Sequence, residues 1–138
     1  MKKEIYQAFV SRLQEITNEN TQEGIFKKFE LWKPEILTET SNSSNDSPAV
    51  YIEFLPIEWK APCGGVQIAN AQIRLHITHT ISTEPESYLQ LLDLSELVKE
   101  YIIGWRTSDY GRVVCIESTV NHEQGLKECT ETFQLSIR

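Results

Sequence analysis

The sequence has no apolar run approaching the ~18–20 residues that a membrane-spanning helix needs. Its start, "MKKEIYQAFV", is basic, but no long apolar stretch and no small-residue cleavage site follow, so it reads as mature sequence and not as a signal peptide. Positive charge is also scarce. There are 13 Lys and Arg against 20 Asp and Glu, a net charge of −7. Affinity for a nucleic-acid backbone comes mainly from Lys and Arg, so the charge argues against nucleic acid as a tightly held partner. DNA that passes nearby without being gripped is still compatible. Cysteine is limited to Cys63, Cys115 and Cys129, an odd and widely spaced set that is no disulfide framework. Free thiols in a reducing compartment are the expectation. Cys115, inside "VVCIE", is expected to be a small buried apolar residue.

Catalytic signatures are missing as well. No Gly-x-Ser-x-Gly elbow occurs. "CGGVQIANAQ" lacks the Gly-Lys-Ser/Thr ending of a phosphate loop and runs into a strand pattern, not a helix. Cys63 in "APCGGV" sits beside two glycines, which is more simply a turn with an incidental thiol. The pair His76 and His79 in "RLHITHT" suggests metal ligands, yet a strand sends residues three apart to opposite faces. The zinc-protease pattern needs a Glu beside the first His of a helical pair, and none is present. His76 is therefore expected as a solvated strand residue and His79 as the polar end of a buried face. Glu53, between Ile52 and Phe54, is expected to point outward. No metal and no cofactor is expected.

What is present is patterning. The 138 residues suit one domain, 1–138, and 40% hydrophobic with 24% charged residues is ordinary for a globular chain. In residues 2–17, Ile5, Phe9, Leu13 and Ile16 recur at helical spacing. Aromatic-rich 25–33 ends at Pro34 and reads as a strand. The polar stretch around 38–48 reads as an exposed loop. "AVYIEFLPIEW" alternates and is ended or bulged at Pro56. "KAPCGG" reads as a turn, and 66–82 as one long strand.

A second helix follows, with Thr83 as its cap, Pro85 in its first turn and Gly104 as its stop. Leu89, Leu92, Val98, Tyr101 and Ile102 form its expected inner side. Residues 111–121 and 129–138 read as two more strands, with His122 in the turn between them. The order αβββαββ predicts an α+β (mixed α/β) fold, with a mostly antiparallel sheet and both helices on one face. Trp32, Trp59 and Trp105 each stand at the end of an element, where tryptophan closes a core or marks a protein–protein contact.

The pattern as a whole resembles the tail-completion or tail-terminator proteins of tailed phages and prophages. The parts that carry the resemblance are "PAVYIEF", 48–54, the His-bearing strand "VQIANAQIRLHIT", and "NHEQGL", 121–126, before the last strand. The resemblance covers most of the chain. It implies a non-enzymatic virion-assembly protein that forms a ring, commonly a hexamer, on the tail tube. Such a ring stops tube polymerisation and presents a surface to a head-completion protein. The partners implied are further copies of the chain, the tail-tube protein and the head-completion protein. DNA passes through the lumen, no membrane is involved, and the protein moves from the bacterial host cytoplasm into the virion tail. Subunit contacts are expected at Tyr51, Glu53, Trp59, Arg74, His76, Trp105, Arg106 and Tyr110. Two other readings stay open. One is a small-molecule enzyme or ligand-binding domain with His76, Glu53 or Cys63 lining a pocket; the other is a different phage connector, such as a head-completion protein.

Overall fold

The computed structural model describes residues 2–17, 22–33, 48–79, 85–106, 111–121 and 127–137. The first helical pattern forms α1, Lys2–Gln14. Ile5, Phe9 and Leu13 are its buried positions, and Ile16 just beyond it continues the same apolar stripe. Four strands follow: β1, Lys28–Leu31; β2, Ala49–Phe54; β3, Glu58–Cys63; and β4, Val66–His79. After α2, Pro85–Ile102, come β5, Val114–Asn121, and β6, Lys127–Ile137. The class is α+β, as expected, with one strand more than the sequence pattern suggests.

The sheet order is β1-β2-β4-β6-β5, and every pairing is antiparallel except β1 with β2. Strand β4 is central. β6 pairs one side of it from Ala69 to His79. On the other side, β2 takes the stretch Ile73–Thr78 and β3 takes the stretch Val66–Asn70. Thus β2 and β3 are two halves of one long ribbon, interrupted around Pro56, which has no N–H to give a ladder. Leu55 still donates its N–H to Gln72 O at 3.0 Å across the interruption.

The extra strand is the main departure from expectation. "KAPCGG" is a turn only at its last two residues. Gly64 and Gly65 have φ of +64° and +76°, the two positive values that a two-residue type I′ hairpin requires. Pro62 is tolerated in β3 because that strand pairs on one side only, with β4.

Side chains alternate across β4. Ala71, Ile73, Leu75 and Ile77 are buried and join one cluster with Val50 and Ile52 of β2 and Phe133, Leu135 and Ile137 of β6. Ile5, Phe9, Leu13, Leu91, Leu94, Val98 and Ile102 of the two helices complete that cluster, so both helices cover the same face. Burying a side chain such as Phe9 or Leu13 contributes about 1.5–3 kcal/mol. Arg12 ties the helices together: its Nε–H donates to Tyr101 O at 2.9 Å, and its guanidinium lies over the Tyr101 and Trp105 rings. Gly104, at φ +79°, ends α2 in the left-handed conformation.

Two further expectations are corrected. The inner stripe of α2 runs through Leu91, Leu94, Ser95, Val98 and Ile102, and Leu89 is exposed. Positions 91, 94, 98 and 102 fall within one turn-to-turn stripe, and 89 lies outside it. Cys115 is half-buried, because β5 is an edge strand. Thr83, His122 and nearly all of the loop at 38–48 lie outside the described residues.

Truncating Phe9 to Ala should cost about 3–5 kcal/mol, while Leu89→Ala should stay within about 0.5 kcal/mol. Urea unfolding monitored by circular dichroism measures both, and equal losses would contradict the assignment of the two side chains.

Candidate functional site

The face of the sheet turned away from the helices is polar. It carries Tyr51 and Glu53 of β2, and Asn70, Gln72, Arg74, His76 and Thr78 of β4. β6 adds Glu128, Thr130, Thr132, Gln134 and Ser136. Strand register sets them side by side: Tyr51 opposite His76, Glu53 opposite Arg74, and His76 opposite Thr130.

The result is a chain of charged groups. Glu53 Oε1 lies 2.7 Å from His76 Nε2 and 3.7 Å from Arg74 Nη1. Arg74 Nε–H donates to Thr132 Oγ1 at 3.1 Å, and its Nη2 reaches Glu117 Oε1 of β5 at 3.5 Å. The other imidazole nitrogen, His76 Nδ1, faces Glu128 Oε1 at 3.4 Å. Trp32, just after β1, lies flat on the His76 ring, with 3.7 Å between centroids and 2° between planes. It also meets the Tyr51 ring edge-on at 6.3 Å.

The structure gathers Tyr51, Glu53, Arg74 and His76 into this one constellation. His76 is not a solvated strand residue: it is 5% exposed, because Trp32 covers its ring and β2 and β6 flank it. Tyr51 is buried too, while Glu53 and Arg74 keep roughly a quarter to a third of their side chains in solvent. Trp59 is exposed on β3. Trp105 follows α2 and packs edge-on against Phe9 at 5.4 Å, closing the core, and Arg106 beside it is exposed. Tyr110 lies outside the described residues. Trp32 and Glu128 complete the constellation and were not among the expected contact residues. Alternation in β6 marks the face of Glu128, but only the cross-strand register brings it to His76.

His79 is on the opposite face from His76, as strand geometry requires. Burial lowers its pKa below the ordinary histidine value, with a hydrogen bond to Gln90 acting the other way. The two carboxylates at His76 approach opposite ring nitrogens, so they do not converge on one point where a metal could sit.

A second polar group lies under α2. Glu131 is 2% exposed, on the otherwise apolar face of β6. Ser95 of α2 and Ser118 of β5 donate their hydroxyls to its two oxygens, and Lys99 Nζ is 3.8 Å away. This carboxylate therefore pins helix, edge strand and neighbouring strand together. Its hydrogen bonds account for its burial. A cavity of about 280 Å³ opens beside it, between Leu92, Lys99, Val120 and Cys129. Burial raises the pKa of Cys115 and pushes that of Cys129 up to about 11.

A larger hollow, about 650 Å³, lies where β3 meets the sheet, among Leu55, Lys60, Ile68, Asn70, Gln72 and Gln134. Glu53 and His76 are not among its described lining residues, and the Cys63 side chain lies outside what is described. Besides β3, the sheet's outer strands are β1 and β5. β5 leaves Val114, Ile116 and Val120 exposed, and β1 leaves Leu31 exposed.

No protein-family model matches the chain, and no curated protein matches it. Among solved structures, it is similar to a chain described as "Virion of native gene transfer agent (GTA) particle". The TM-score is 0.48 and the identity 11%, over 80% of this chain and 78% of that one.

The thiol environment is directly measurable. In a Cys63→Ser variant, Cys129 should react with Ellman's reagent at about pH 8.5 roughly a hundredfold more slowly than an ordinary thiol, and Cys115 should also be slowed. Urea should restore ordinary rates. Two rapidly reacting thiols in the folded protein would contradict the burial described.

Proposed function

We propose that the chain is a structural virion-assembly protein that caps a phage tail tube as a ring, stops tube polymerisation and forms part of the head–tail connection. The observation that carries this reading is the outer strand β5, with Val114, Ile116 and Val120 exposed along it. An exposed apolar edge strand is a template for pairing with another chain. The opposite edge, β1, differs in length and sequence, so contact between unlike edges of successive subunits is heterologous, and such contacts make a ring where the rotation closes.

The resemblance of "PAVYIEF" and "NHEQGL" to tail-terminator proteins supports the same reading. So does the charge of −7 per chain, which repels DNA in a lumen and lets it slide. Contacts are assigned to the exposed part of the expected set, Glu53, Trp59, Arg74 and Arg106, together with the β5 edge. The chain works in the host cytoplasm and then in the virion tail. A head-completion role differs only in which partner the ring meets.

A ligand-binding or enzymatic domain is the second reading, favoured by the 2.7 Å contact between Glu53 and His76. Such a domain needs that pair to line a cavity, whereas Trp32 covers His76.

The test mixes the purified chain with its cognate tail-tube protein during polymerisation. The expected result is short tubes of defined length, with the chain bound at one end. Ile116→Lys with Val120→Lys should abolish capping at least tenfold in effective concentration while leaving the urea midpoint nearly unchanged. Tubes that grow unchecked, with no bound chain, would overturn the capping role.

A further inference from the structure

The hollow of about 650 Å³ on the polar face has a structural cause. β2 pairs with β4 only from Ile73 onward, and β3 pairs with it only as far as Asn70. Ala71 and Gln72 have no strand partner on that side, because the ribbon is interrupted around Pro56. The sheet is therefore notched where β3 begins. The volume of the notch falls in the range of ligand sites.

The floor of the notch is rich in carboxamides. Gln72 stands opposite Gln134, and Asn70 opposite Ser136, so these polar side chains form two neighbouring rows. Gln72 Nε2–H donates to Gln134 Oε1 at 3.4 Å, and Ser136 Oγ–H donates to Asn70 Oδ1 at 3.4 Å. Both bonds are longer than the favoured range, so they yield readily to a better partner. A carboxamide is also the chemical copy of a peptide group, with N–H donors beside a carbonyl acceptor. It pairs with a peptide main chain whatever the sequence.

The walls supply selectivity. Leu55, Pro56 and Ile68 give an apolar patch. Glu58 and Lys60 of β3 pair with Asn70 and Ile68 of β4, so both point to the same face, and both are exposed. They present one negative and one positive charge about 7 Å apart along the strand, the spacing of same-side residues in any extended chain. From Ile68 to Gln72, β4 rises about 13 Å, room for about four extended residues.

We propose that the notch seats an extended segment of another protein chain, one that carries a basic and an acidic residue two positions apart with aliphatic residues beside them. The basic residue meets Glu58, the acidic residue meets Lys60, the aliphatic residues rest on the apolar patch, and the main chain bonds to Gln72 and Gln134. None of the described lining residues belongs to β5, so the seat stands or falls separately from the capping role.

The test titrates the full chain with the blocked peptide acetyl-Leu-Lys-Thr-Glu-Leu-amide and follows side-chain amide resonances by NMR. Those of Asn70, Gln72 and Gln134 should shift along one saturable curve below about 10 mM peptide, while that of Gln14 on α1 stays still. Peptides with two glutamates or two lysines in the charged positions should bind about two- to fivefold more weakly, the size expected of exposed ion pairs. Lys60→Glu should reverse that order in favour of the two-lysine peptide. Gln72→Leu with Gln134→Leu should weaken binding about tenfold, because two amide contacts to the main chain are lost. Lys60→Glu alters an exposed residue and should leave the urea midpoint nearly unchanged, so the seat is tested even where the double-leucine variant does not fold. Amides that do not shift, shifts on β5 in their place, or an unchanged order of peptides in Lys60→Glu would overturn the proposal.

Discussion

Residues 71, 73, 75 and 77 of β4 are sealed under two helices, while 72, 74, 76 and 78 stand on the far side, because a pleated strand points successive side chains to opposite faces. That single alternation organises the molecule. β4 is the longest strand and the one paired with β2, β3 and β6. Its odd face supplies the floor on which α1 and α2 rest. Its even face supplies Arg74 and His76, the middle of the ionic chain. A slip of one residue in either ladder would bury arginine under the helices and expose isoleucine, so both faces enforce one register. The apolar face makes that slip expensive, and the polar face makes it chemically senseless.

Polar side chains join elements on both faces, buried on the helix side and partly exposed on the other. Glu131 sits among apolar neighbours, where Ser95 and Ser118 satisfy its oxygens and so join α2 to β5. On the other face, Glu53, Arg74 and Glu117 connect β2, β4 and β5 across the sheet. Ion pairs this exposed add little net stability, because water screens them and holding two long side chains together costs entropy. These networks therefore fix which strands are neighbours more than they strengthen the fold. The apolar cluster of Phe9, Ile73, Leu75 and Phe133 supplies the bulk of the driving force.

Periodicity made the body of this fold legible. The stripe Ile5, Phe9, Leu13, Ile16 and the alternation of 66–79 were readable because each repeats often enough to outweigh local composition. β3 was not, because "KAPC" carries Pro62 and a lysine, and only its pairing with β4 makes it a strand. The stripe of α2 was misread at Leu89, since a leucine-rich helix offers several overlapping stripes and the sheet decides which one is buried. The split of His76 and His79 onto opposite faces followed from strand geometry alone. The covering of His76 by Trp32 did not. Those residues are 44 positions apart in sequence (32 to 76), and no local pattern encodes a parallel β1–β2 pairing that brings them together. Glu128 escaped notice for the same reason.

The capping proposal rests on the outer strand β5, since an exposed apolar edge strand is a template for pairing with another chain. Electron microscopy of tail tubes assembled with the chain tests this most directly. The account predicts a ring of rotational symmetry at one end of each tube, with the β5 edge of each subunit against its neighbour. Density spread along the tube wall, or single subunits at the tip without ring closure, would contradict it.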